Sequence, residues 1–360
     1  MKSIYSAIAG RLAQEGPFAL ATIIETGGST PQVPGASALF SERGLVRGTL
    51  GGGLLEAEAE RRARAALASG RSALFRFDLR GEGLEDEEPV CGGEASILVD
   101  ASPASHLDAF LAMLESLRSR RRGVMATRVR PGPSGEVEVR RRWVEEGAGA
   151  DPAREWGSPL RVEAVDKALS ENRPLVLREA AGAPGQGGFD LIEPLAPLPR
   201  LVIAGAGHIG QAVSRLAGPL GFEVTVIDDR AEFASRERFP DADRFVIDKP
   251  GNALRGLPAG GDTYIIIVTR GHRDDADALR ACIRSEAAYI GMIGSRSKVS
   301  LVRERFLSEG WASAAEFDRV HTPIGLPIGS RTVEEIAVSI AAELVQVRSR
   351  LRENPRPDEI

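Results

Sequence analysis

The stretch LVIAGAGHIGQAV, Leu201 to Val213, constrains this chain more than any other. An apolar strand runs straight into a loop with Gly205, Gly207 and Gly210 in G-x-G-x-x-G register, and the loop opens a helix. Each glycine has a physical reason to be there. The first permits the tight turn, the second admits a pyrophosphate to the backbone, and the third lets helix and strand pack closely. The helix N-terminus then offers unpaired N–H groups to the anion. RLVIAGAG, FEVTVIDD, DRFVID, TYIIIVT, AAYIGMIG and RVHTPIG read as short strands, with helices after the first, second, fourth and fifth and a last helix from about Thr332. This α/β alternation predicts a Rossmann-like, doubly wound parallel sheet over residues 200–350, with a charged tail at 351–360.

The first half follows another pattern. A helix at about Ile4 to Gln14, the strand FALATIIE, the Gly/Pro-rich loop TGGSTPQVPGAS, a hairpin turned at SERG, and GTLGGG opening a long Ala/Glu/Arg helix predict a mixed α/β domain over 1–192. The basic RSRRRG, Arg118 to Gly123, suits a helix end, and between Arg128 and Trp156 the period weakens and assigns no element. EPLAPLPR places Pro194, Pro197 and Pro199 close together, which predicts an extended connector at 193–199. At 360 residues, two domains can each bury a core.

Charge and cysteine usage narrow the function classes. The 46 Lys and Arg are dispersed among 51 Asp and Glu for a net charge of −5, which argues against a nucleic-acid binder. No apolar run nears the roughly 18 residues of a membrane span. MKSIYSAIAGRLAQEG lacks the apolar core of a secretory leader. Cys91 and Cys282 are too few for a disulfide framework and fit a reducing, cytoplasmic setting.

Candidate ligand residues gather at expected strand ends. Asp228, eighteen residues past Gly210, closes a strand where a carboxylate accepts from a ribose hydroxyl, while neighbouring Arg230 leaves both NAD and NADP open. His208 stands inside the glycine loop, and Thr269 and His272 follow TYIIIV, with Asp274 or Asp275 as helix caps. Parallel sheets bind ligands beyond the carboxyl ends of their strands, so these residues are expected to share one crevice. Ser295 and Arg296 open another helix as a candidate anion site. Thr332 to Glu335, TVEE, is a capping box for the last helix, whose Ile336, Ile340, Leu344 and Val347 make an apolar stripe. Cys282, mid-helix between Ala281 and Ile283, reads as an inert buried thiol.

In the first half, Gly51, Gly52 and Gly53 precede a helix of good formers, so successive N–H groups can cradle a phosphate. Gln32 is a candidate hydrogen-bond partner, and Glu56 is either an acid or base or a complement to the helix dipole. On residues alone the chain reads as an NAD(P)-dependent oxidoreductase, a binding protein or a docking protein.

The blocks GSTPQVPGASALF, GTLGGGLLE, CGGE, LVIAGAGHIGQAV, VIDDR, VTRGH, AAYIGMIGSRSK and TPIGLPIGSRTVEEIAVSIAAEL together resemble the XdhC/CoxI family, accessory factors of xanthine dehydrogenase and related molybdenum hydroxylases. The resemblance implies a cofactor-binding chaperone rather than an enzyme. Such a factor binds molybdenum cofactor (molybdopterin), supports its sulfuration and hands it to an apo-hydroxylase. A sulfurtransferase is an expected further partner and a homodimer an expected assembly. The chain departs from the family at Leu54, where one branch carries a cysteine, and at Val90, where another carries a second thiol before Cys91.

The resemblance also gives Cys91, in EEPVCGGEAS, a role as a contact to the cofactor's molybdenum. A thiolate suits a soft metal, and Gly92 and Gly93 let a bulky pterin approach the backbone, although Glu87 and Glu88 oppose thiolate formation.

Overall fold

The structure, a computed structural model, describes residues 4, 5, 8, 17–79, 92–132, 135–147, 162–179 and 187–353. The chain divides into two units, Met1–Pro197 and Leu198–Ile360. Among the described residues no helix is long and apolar enough to cross a membrane.

The first unit holds two antiparallel sheets. One has the order β3-β2-β1-β5-β4, with β1 (Phe18–Gly27), β2 (Ser37–Ser41), β3 (Gly44–Gly48), β4 (Ala73–Asp78) and β5 (Glu94–Asp100). β1 is central because its first seven residues are apolar or Thr and bury completely. Helix α1 (Gly53–Ser69) covers this sheet through Leu55, Ala59, Ala63 and Ala66, a stripe of small residues that packs on Ala19, Ala21, Ile23 and Phe40. Its outer face carries the pairs Glu58–Arg61, Glu58–Arg62 and Glu60–Arg64.

The other sheet has the order β7-β6-β9-β8, from β6 (Gly123–Pro131), β7 (Val137–Glu145), β8 (Leu175–Arg178) and β9 (Phe189–Leu195), with helices α2 (Leu107–Arg118) and α3 (Val162–Glu171). β7 crosses the stretch that assigned no element from sequence. Its pattern is blurred because charged residues are buried by pairing: Arg141 binds Asp100, and in β6 Arg128 grips Asp190 bidentately at 2.8 and 2.9 Å. β9 runs through Glu193, Pro194 and Leu195, into the expected connector. A strand tolerates Pro194 there because β8 pairs with β9 only as far as Ile192.

Glu193 is fully buried and accepts a hydrogen bond from the Tyr5 hydroxyl at 3.3 Å. Desolvation raises its carboxyl from 4.5 to about 7, against the opposing pull of Arg141 and the Tyr5 hydrogen bond. The folded state therefore holds this proton more tightly than the unfolded chain does. The advantage is present below pH 4.5 and lost as pH rises through about 7. Wild type is expected to lose stability relative to Glu193→Gln between about pH 5 and pH 8, by on the order of 3 kcal/mol. Urea unfolding of both proteins at the two pH values checks this, and a gap independent of pH overturns it.

The second unit is a five-stranded parallel sheet of order β12-β11-β10-β13-β14, from β10 (Arg200–Ala204), β11 (Glu223–Asp228), β12 (Arg244–Ile247), β13 (Thr263–Ile267) and β14 (Tyr289–Met292). Its helices are α4 (His208–Ala217), α5 (Pro250–Arg255), α6 (His272–Cys282), α7 (Arg296–Ser308), α8 (Ala314–Asp318) and α9 (Val333–Glu353). Alternate residues of β10 feed two cores: Leu201 and Ile203 pack with Val213, Ile340 and Leu344, whereas Val202 and Ala204 pack with Leu279 and Phe306. Both faces are covered, as a doubly wound sheet requires.

Four expectations change here. No helix joins β11 to β12: residues 229–243 form turns, Pro240 withholds a helix donor, and Arg230 and Arg238 stack on Phe233 instead. α5 appears between β12 and β13, started by Pro250 in its first turn. RVHTPIG contributes one bridge, Gly291 to His321, because Pro323 cannot donate to a ladder and Ile324 N–H turns back onto Met292 O. α9 runs to Glu353, into the expected tail.

Candidate functional site

In the second unit the three loop glycines separate by what surrounds them. Gly205 has φ 118°, and a Cβ there would lie 2.4 Å from Val268 O, so this turn sits against the end of β13. At Gly210 a Cβ would lie 2.2 Å from Gly205 O, which fixes the close approach of α4 to the loop. Gly207 differs: its φ is −76° and a Cβ would meet nothing within 4 Å. It caps α4 without any side-chain hydrogen bond, so no cap side chain takes up the helix's first N–H groups. His208 follows at the first helical position and is exposed.

β10 neighbours both β11 and β13, which places the loop where the strand order reverses. Asp228 ends β11 and is only 5% exposed. Its Oδ2 accepts from Ala206 N at 2.9 Å and Arg230 Nη2 at 3.1 Å, and its Oδ1 from Arg230 Nε at 2.8 Å and Arg230 N at 3.1 Å. Burial pushes this carboxyl up, but Arg230 and the two backbone donors outweigh it and hold it below the usual range. The carboxylate expected to meet a ribose hydroxyl is occupied in latching the glycine loop to Arg230.

Thr269 and Asp275 come together through hydrogen bonds, and Asp275 is not a cap. α6 is capped by Gly271, with no side-chain bond from Asp274 or Asp275. The Asp275 carboxylate, 1% exposed, accepts from Thr269 N and Oγ1 at 3.1 and 2.6 Å and pairs with Lys298. Lys298 also donates to Ile293 O at 3.1 Å. A Cβ on Gly205 would sit 2.9 Å from Thr269 Cα, so the polar network of Thr269, Asp275 and Lys298 starts beside the glycine loop and reaches Ile293 just past β14. His272 opens α6, and its side chain lies outside the described residues. Ser295 caps α7, its hydroxyl accepting from Lys298 N at 3.3 Å, and Arg296 beside it is exposed.

Sequence reasoning missed a buried cluster at the same sheet. Glu343, on a helix face that reads as structural, accepts from Tyr289 Oη, from Gly325 N at 2.8 Å and lies 3.0 Å from His321 Nδ1. Burial raises its carboxyl, and His321, Tyr289 and Gly325 together bring it below the usual value. The signal available was the histidine in RVHTPIG. Its partner lies twenty-two positions away on another element.

In the first unit, three glycine-rich segments remote in sequence converge. A Cβ on Gly93 would lie 2.4 Å from Ser29 O, and one on Gly51 would lie 2.6 Å from Pro31 Cγ and 3.3 Å from Gln32 Cγ. The loop Gly28 to Gln32 thus sits between Gly92-Gly93 and Gly51–Gly53. Gly52, Gly53 and Gly92 would each meet nothing within 4 Å, so their backbone is open where the segments come together, a candidate cradle. Glu56 holds its rim: Oε2 accepts from Thr49 Oγ1 at 2.7 Å and Leu50 N at 2.9 Å. Partial burial raises this carboxyl, but those bonds and one from Gly52 bring it below its usual value, so it organises the loop as a carboxylate. The Gln32 backbone carbonyl accepts from Thr30 Oγ1 at 2.8 Å, a bond internal to the loop.

Cys91, the expected molybdenum contact, lies outside the described residues. Among the described residues no group of three His, Cys, Asp or Glu could hold a metal ion. Cys282 is buried, donates to Ala278 O at 3.3 Å, and is pushed up to about 12 by desolvation, as an inert thiol should be.

Residues 201–344 match the family model described as the XdhC Rossmann domain, and residues 11–78 that of the XdhC and CoxI family. The chain is 35% identical over 152 residues, 42% of its length, to the uncharacterized protein YqeB of Escherichia coli, and covers 28% of that protein. It is 26% identical to a probable xanthine dehydrogenase subunit of Bacillus subtilis, over 92% of this chain and 93% of that one. The molybdenum cofactor insertion chaperone PaoD of Escherichia coli is 23% identical, over 91% and 83%. A solved structure described as a xanthine dehydrogenase from Bacillus halodurans superposes with a TM-score of 0.77 at 25% identity, covering 98% of each chain.

Proposed function

The chain belongs to the XdhC and CoxI family, and on that premise we propose that it is a molybdenum cofactor chaperone that serves a xanthine dehydrogenase-type hydroxylase. The observation that carries this reading is the first-unit cradle, where GSTPQ, GTLGGG and the glycines of CGGE meet although the chain separates them widely. The residues fit the group. Gly53 leaves open backbone at the N-terminus of α1, suited to a terminal phosphate, and Gly92 leaves room for a flat pterin. When bound, the cofactor supplies a molybdenum centre with soft sulfur ligands, for which Cys91, next to Gly92, is the matched side chain. This chain's own part is to hold the pterin, keep water from it, support sulfuration and release it to the apo-enzyme. The glycine loop of the second unit, with Asp228, Thr269 and Asp275 around it, holds a phosphate-bearing ligand. An NAD(P)-dependent oxidoreductase is the second reading, favoured by that loop, but it leaves the first-unit cradle without a purpose.

Co-expression with a client hydroxylase tests the proposal. Protein purified beside its client is expected to carry molybdenum in near-stoichiometric amount and to activate added apo-hydroxylase. Protein that carries no molybdenum and leaves the apo-hydroxylase inactive overturns it, and steady NAD(P)H turnover with small carbonyl substrates promotes the second reading.

A further inference from the structure

We propose that the second unit binds a nucleotide with a phosphate on the ribose beside Arg230, a 2′-phosphorylated adenine dinucleotide of the NADP type in preference to NAD. This rests on the reading of the glycine loop as a phosphate site. A ribose diol is recognised by a carboxylate with acceptor capacity to spare, and Asp228 has none. A carboxylate offers about four lone-pair positions. Here Ala206 N, Arg230 N, Arg230 Nε and Arg230 Nη2 take two on each oxygen.

What the corner presents to a ligand is Arg230 itself. Its guanidinium lies 3.6 Å over the Phe233 ring, held flat by stacking while Nε and Nη2 bind Asp228. Among the described residues its Nη1 edge makes no hydrogen bond. Arg230 Nη2 and Ala206 N share Asp228 Oδ2, so the arginine stands directly beside the glycine loop. A pyrophosphate on the loop puts the attached ribose next to this edge, and a planar fork of N–H donors matches a phosphate bidentately.

A second cation faces the same ring. Arg238 lies 4.8 Å from the Phe233 centroid, and its Nε is a buried donor with no hydrogen-bond partner among the described residues. Its segment is pinned to α4, because Gln211 Nε2 donates to Arg238 O at 2.7 Å. Asp229 and Glu232 are the acidic neighbours of Arg230, and neither hydrogen-bonds to it: the nearer Asp229 oxygen is 3.9 Å from Nε. Two guanidinium groups share one aromatic ring, a concentration of positive charge that an anion complements better than a ribose hydroxyl does.

Calorimetric titration of the full chain with NADP, NAD and inorganic pyrophosphate tests this. NADP is expected to bind at least about tenfold more tightly than NAD, and Arg230→Ala to bring the two within about twofold of each other. Arg230→Ala also removes the partner of Asp228, so Arg238→Ala, which leaves the latch intact, serves as the second variant and should shrink the preference as well. Equal binding of NAD and NADP, or a preference unchanged in both variants, overturns the proposal. Pyrophosphate binding without either dinucleotide overturns it too, yet leaves the loop as a phosphate site. Failure of all three ligands sinks that underlying reading instead.

Discussion

Gly207→Val is expected to weaken binding of the second unit's phosphate-bearing ligand by roughly a hundredfold or more, about 3 kcal/mol, while the unit stays folded. The backbone at Gly207 is ordinary extended conformation, with φ −76° and ψ −171°, which valine adopts without strain. A Cβ there meets nothing within 4 Å, so no protein atom has to move. The substituted methyls instead fill the space above the first N–H groups of α4, where a pyrophosphate must come. Loss of a glycine cap costs the helix on the order of 1 kcal/mol at most. Gly205→Ala and Gly210→Ala make the contrast: each drives a methyl into a carbonyl oxygen, at 2.4 and 2.2 Å, and should lower stability first. Calorimetry with thermal melts separates the two effects. Wild-type affinity in a folded Gly207→Val protein would mean that nothing binds against this loop.

Cys91→Ser should reduce both molybdenum retention and activation of the client hydroxylase by about tenfold or more, the scale seen when a metal's ligand surroundings are altered. The change keeps size and replaces a polarizable thiolate with a hydroxyl that stays neutral and binds soft metals poorly. Cys282→Ser is the control. That thiol is buried against Ala278 O, and desolvation holds it protonated, so its replacement costs some stability and leaves delivery intact. Molybdenum content and client activity, measured for both variants beside wild type, decide the matter. Full activation of the client by Cys91→Ser assigns the metal to other groups.

Much of the second unit was legible because its signals are local. An apolar strand, a glycine loop and an amphipathic helix lie within a few residues of one another, and the parallel sheet with both faces covered follows from repeating that pattern. The helix expected between β11 and β12 failed for a reason that spacing does not carry: Arg230 and Arg238 pack on Phe233 within a run of turns. β7 escaped notice because Arg141 sits where a strand should bury an apolar residue, and its partner Asp100 is forty-one positions upstream.

The candidate sites divide along the same line. Backbone roles are written in glycine, a residue chosen for conformational and steric freedom that acts within its own turn, so the turns at Gly51 to Gly53 and Gly205 to Gly210, each opening a helix, were recognisable from the chain alone. Charged side chains act over distances that folding creates, and their roles changed once partners arrived. Asp228 became a latch filled by Arg230 and Ala206, Asp275 a link between Thr269 and Lys298, Glu56 a brace for Leu50, and Glu343 the support of His321. What a carboxylate does depends on which donors reach it and on how much water remains, and both are set by packing between elements far apart in the chain.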